Sequence, residues 1–115
     1  MERRMEERRI RALEAAGWRV GTAEKFLGLT EEEVAFIEMK LALAEGLRDL
    51  RLRASMTQTE VAKLIGSSQS RVAKMEAADP SVSMDLLLRT LLRLGANAES
   101  VARLFAESLR QTAAV

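Results

Sequence analysis

Residues 56–77, MTQTEVAKLIGSSQSRVAKMEA, decide the fold. They read as two short helices joined by a tight turn. Thr57 can cap the first helix, and Glu60, three residues on, completes a capping box. Val61, Leu64 and Ile65 then form a helical apolar stripe. Gly66 suits the left-handed position that ends such a helix, because it has no Cβ to clash. Ser67 and Ser68 are suitable caps for the next helix. Within that second helix Val72 and Met75 face a core, and Ala62 is small where the two helices would cross.

Together these spacings describe a helix-turn-helix. The pattern asks for an alanine four residues after Gln58, a glycine four residues later, and apolar groups at Val61, Ile65, Val72 and Met75. Each feature is common in helical proteins; their agreement is specific. An ordinary helical hairpin would not need Gln69, Ser70, Arg71 and Lys74 along its outer face.

The stretch resembles the Cro/cI-type (XRE family) helix-turn-helix of phage repressors. The Thr57–Gln58 opening and the run SQSRVAKME at 68–76 carry most of the likeness, which spans about residues 44–95. A narrower likeness, to HigA-type antitoxins, rests on SSQSRVAKME and the DPSVS that follows. Ala78 departs from the pattern, since such proteins often carry glycine before the residue matching Asp79. The resemblance implies an all-α, five-helix Cro/cI-like domain, here with an N-terminal helical extension. It also implies an ion pair between Arg51 and Glu76. Locally, each of these follows a core-facing residue, Leu50 and Met75, and so flanks the buried side of its helix.

Composition agrees with an all-α chain. Of 115 residues, 48% are hydrophobic and only 3% aromatic, with one proline and no run of alternating β-branched residues. Cysteine and histidine are both absent, which removes disulfides, thiolate chemistry, the usual zinc sites and His-based acid–base catalysis. The remaining Asp, Glu, Lys and Ser form no catalytic pattern, so neither an enzyme nor a cofactor is expected. The opening MERRMEERR lacks the apolar segment of a signal peptide, and no stretch is long enough to span a membrane. A cytoplasmic protein is expected.

Net charge is only +1, but its distribution is uneven. Between Leu47 and Glu76 lie Arg48, Arg51, Arg53, Lys63, Arg71 and Lys74, against Asp49, Glu60 and Glu76. A local basic excess on the motif fits a DNA-binding face.

In chain order, residues 1–16 read as a solvated helix, with Gly17 to Gly21 a connection containing the sole tryptophan, Trp18. Thr22 can cap a short helix ending at Gly28. Thr30 and Glu33 form a second capping box, opening a long helix over about 31–54. Val34, Ile37 and Leu41 make one stripe on it; Phe36, Leu43, Leu47 and Leu50 make another. Gly46 predicts a break or kink within it, at a cost of roughly 1 kcal/mol against alanine. Residues 79–83 form a loop. Ser83 caps a leucine-rich helix over 84–94, predicted to be buried on most sides with Arg89 and Arg93 at its exposed edge. A last helix from Ala98 to about Gln111 carries Val101, Leu104, Phe105 and Leu109 on one face, and QTAAV reads as a loose tail. The expected organisation is an extension over 1–36, the DNA-binding domain over 37–95, and a C-terminal helix and tail over 96–115.

Two functional expectations follow. One is a dimeric, sequence-specific repressor, with residues 68–77 in the major groove of an operator duplex. Gln69 would pair with adenine, Arg71 or Lys74 with guanine, and Ser68 and Ser70 with bases or phosphate. Gln58, Arg53, Lys63 and Ser81 would contact phosphate. The other is an antitoxin that neutralises a RelE-like ribonuclease toxin and represses its own operon. Its toxin-binding surface would come from the N-terminal third, with Trp18, Phe26 and Phe36.

Overall fold

Thr30 opens the first helix. Its hydroxyl accepts from the Glu33 backbone N–H at 3.1 Å, and the Glu33 carboxylate reaches back to the Thr30 N–H. From there α1 runs unbroken over Glu31–Arg53. Four helices follow: α2 (Gln58–Ile65), α3 (Gln69–Glu76), α4 (Met84–Arg93) and α5 (Ala98–Ala113). The computed structural model describes residues 28–113, and among these there is no strand. The helices expected over 1–16 and after Thr22, and the connection around Trp18, lie outside the described residues. No helix among the described residues is long and apolar enough to cross a membrane. The fold is all-α.

The core forms where α1 meets α3, α4 and α5. Leu43, Ala44 and Leu47 of α1 pack with Met75, Ala78, Val82, Leu87 and Leu91. A second cluster, Val61, Ala62 and Val72, seals α2 against α3, and half-buried Ile65 and Leu94 pack on both clusters. Ala62 is buried at this crossing.

Gly46 does not break α1. It is buried, and a Cβ there would clash with the Leu104 side chain, so its missing side chain lets α5 lie close across the helix. The local propensity cost is offset by a packing contact with a residue far along the chain.

The apolar stripes are narrower than their sequence suggests. Phe36 is 49% exposed, and Leu64 and Leu92 also lie open to solvent. In α4 burial is confined to Leu87, Thr90 and Leu91, so this leucine-rich helix is one-sided. In α5, Val101, Leu104 and Phe105 are half-buried, whereas Leu109 is 66% exposed. The helix continues through Ala113, so residues 111–113 are helical backbone rather than tail.

Four helices end in the same way. Ser55, Gly66, Ala78 and Gly95 each take a positive φ just past α1, α2, α3 and α4 respectively. In each case two backbone N–H groups fold back onto the last turn: Met56 to Arg51 and Ser55 to Leu52; Ser67 to Ala62 and Gly66 to Lys63; Asp79 to Lys74 and Ala78 to Met75; Ala96 to Leu91 and Gly95 to Leu92. These are Schellman closures, which satisfy carbonyls that a helix end would otherwise orphan. Ala78, at φ 52°, adopts the left-handed geometry that glycine would supply.

Candidate nucleic-acid interface

Sequence fixes the start of each helix of the motif. Thr57 caps α2 by accepting from the Glu60 N–H at 3.1 Å, and the Glu60 carboxylate accepts from the Thr57 N–H at 2.9 Å. Those bonds hold the Glu60 carboxyl below its usual pKa. Ser68 caps α3 by accepting from the Arg71 N–H at 3.2 Å, and its hydroxyl lies 3.3 Å from that of Ser70. Gly66, at φ 69°, turns the chain between the two helices. Val72 and Met75 are fully buried, so the opposite side of α3 presents Gln69, Ser70, Arg71 and Lys74 to solvent.

A chain of polar side chains ties this face to α1. The Arg51 guanidinium grips the Glu76 carboxylate twice, Nε to Oε2 at 2.6 Å and Nη2 to Oε1 at 3.0 Å. Its Nη1 donates to the Met56 carbonyl at 2.9 Å. The side chains are only 12% and 6% exposed. The bond to Glu76 holds the Arg51 guanidinium above its already high pKa, against the cost of burial. Glu76 Oε1 also accepts from Gln58 Nε2 at 3.2 Å, and Gln58 Oε1 accepts from Gln69 Nε2 at 2.6 Å. Both glutamine amides are thereby oriented. Gln69 retains its Oε1 and one N–H, the acceptor and donor that an adenine edge requires.

The other sequence-identified residues are placed differently. Lys63 is exposed on α2. Arg53 ends α1 and lines a hollow of about 390 Å³ with Leu50, Asn97, Arg103 and Glu107, beside α5 rather than α3. The Ser81 hydroxyl donates to Asp79 Oδ1 at 2.6 Å and its N–H donates to the same oxygen at 2.9 Å, closing the loop after α3. These bonds hold the Asp79 carboxyl below its usual pKa.

Sequence reasoning missed Lys40. It is 4% exposed, and its Nζ donates to the Asp79 backbone carbonyl at 3.0 Å, so α1 also holds the chain just beyond α3. The available signal was spacing: Lys40 falls three residues after Ile37 and four before Ala44, on the buried stripe. Sequence reasoning also did not bring Arg89 and Arg93 of α4 near Arg71, with which they share a hollow.

A family model described as a helix-turn-helix domain matches residues 42–104, from within α1 to within α5 and over more than half of the chain. The chain belongs to this family of DNA-binding regulators. No curated protein and no solved structure matches it.

Proposed function

We propose that this chain is a sequence-specific transcriptional repressor of the Cro/cI (XRE) type. It lays α3 in the major groove of its operator, acts in the cytoplasm and works as a homodimer. One observation carries this reading: Gln69, at the exposed start of α3, has its amide oriented by Gln58, which is itself held by Glu76 and Arg51. Such pre-organisation lowers the ordering cost when a base edge is met. Gln69 then pairs with adenine and Arg71 or Lys74 with guanine, while Ser68 and Ser70 hydrogen-bond at the groove wall. Gln58 keeps one free amide N–H for phosphate, and Arg53, Lys63 and Ser81 contribute further backbone contacts. In this scheme residues 37–95 are the DNA-binding unit, 1–36 an extension, and 96–115 a C-terminal helix and tail.

In such a homodimer the exposed Leu92 of α4 and Leu109 of α5 are apolar groups that a second copy would cover. Phe36 at 49% and Met39 at 41% exposure favour a second role, a surface for a ribonuclease toxin as in HigA-type antitoxins. Selection of bound duplexes from random DNA tests the main reading. The expected product is a two-fold symmetric site with half-sites about 34 Å apart. An unenriched pool would refute it. Sedimentation of the free protein at micromolar concentration is expected to show a dimer. Co-purification with a small basic protein encoded next to it would establish the antitoxin role.

A further inference from the structure

Between the motif and α4 lies an open hollow of about 350 Å³ whose walls include Gly66, Thr90 and three arginines, Arg71, Arg89 and Arg93. No carboxylate lines it. Among the described residues the guanidinium groups of Arg71 and Arg93 have no hydrogen-bond or ion-pair partner. Arg89 uses only its Nε, toward Asp85 Oδ2 at 3.0 Å, in a pair that is 78% and 74% exposed. Three guanidinium cations around one hollow with no carboxylate among them favour an anion between them. Their planar forks match the oxygens of a phosphate.

We propose that Arg89 and Arg93 of α4 bind a phosphate of the DNA backbone, beside the base pair that Arg71 reaches. This rests on the docking of α3 proposed above. A major groove is only about 12 Å wide, and its walls are phosphates. A side chain that shares a hollow with an exposed first-turn residue of α3 therefore lies at one of those walls. The contact adds α4 to the footprint and strengthens binding without choosing sequence. Arg71 supplies the specific contact from the same hollow.

The test is fluorescence anisotropy with two duplexes, one carrying the selected site and one scrambled, at several salt concentrations. Arg89→Gln and Arg93→Gln should each weaken both duplexes by a similar factor, about five- to tenfold. The double variant should make the slope of log K against log salt shallower by about one unit. Arg110→Gln, on an exposed part of α5, should leave both quantities unchanged. Wild-type slope and affinity in the double variant would overturn the proposal. So would a free-anion site, seen if inorganic phosphate raised the melting temperature of the wild type but not of the double variant while DNA binding stayed equal. Wild-type protein that binds neither duplex would defeat the repressor reading and this contact with it. Wild-type binding with unaffected variants would defeat this contact alone.

Discussion

The Lys40 ammonium, on the buried face of α1, donates to the Asp79 backbone carbonyl 3.0 Å away. Burial pushes its pKa below the ordinary 10.5, only partly opposed by the Asp79 carboxylate. The folded chain therefore releases this proton at lower pH than the unfolded chain. Between the lowered value and 10.5 the unfolded state holds more protons, so the Lys40 contribution to stability rises with pH. Lys40→Met should abolish this rise when urea unfolding is compared at neutral and alkaline pH. At neutral pH the substitution should change stability by no more than about 1 kcal/mol, since a desolvated charge and a hydrogen bond are lost together. An unchanged alkaline slope would refute the assignment.

The Arg51–Glu76 contact predicts strong coupling. Either residue changed alone to alanine should cost on the order of 3 kcal/mol, because the partner is left buried and unpaired. Changing both to apolar residues should cost much less. A double-mutant cycle in urea unfolding measures the coupling, and a value near zero would refute it. Glu76→Ala should also reduce discrimination between selected and scrambled duplexes, because Gln58 loses the carboxylate that holds its amide.

Gly46 and Leu104 should show a reversal of sign. In the wild type, Gly46→Ala meets Leu104 and should destabilise by about 1 kcal/mol or more, since overpacking outweighs the gain in helix propensity. In a Leu104→Ala background the same substitution should stabilise by up to about 1 kcal/mol. Thermal unfolding of the four proteins decides it; the same sign in both backgrounds would contradict the contact.

Ser55 and Ala78 take nearly the same left-handed φ, 55° and 52°, but differ in burial. Ser55→Gly removes a Cβ conflict at an exposed site and should stabilise by up to about 1 kcal/mol. Ala78→Gly removes the same conflict but loses a methyl packed in the core, worth about 0.8 kcal/mol. Its net effect should be close to zero or destabilising. Urea midpoints that moved equally for the two would refute the distinction.

Local signals carried most of the fold. Thr30, Thr57, Ser68 and Ser83 each accept the N–H bond that a cap requires, and such bonds depend on residues only three apart. The turn at Gly66 was legible for the same reason. What stayed hidden depends on distant partners. Gly46 reads as a flaw until Leu104 is beside it, and the carbonyl that receives Lys40 lies 39 residues further along the chain. Periodicity locates a buried face but not its width, so it overstates the burial of Phe36, Leu64, Leu92 and Leu109. In the interface, the polar row on α3 was visible from spacing. The Gln58–Gln69 bond and the hollow shared with α4 depend on how helices cross.

Lys40 and Arg51 stand eleven residues apart on one unbroken helix, roughly 16 Å along its axis. One holds the carbonyl just beyond α3 and the other the carboxylate at its last residue. A rod bolted at one place can swivel; a rod bolted at two cannot. In the docking proposed above, α3 is held at its C-terminal end and has little freedom to tilt toward an imperfect sequence. Accommodation at a mismatched step falls to the duplex, so stiff and pliant base steps should be discriminated even where no side chain reaches them.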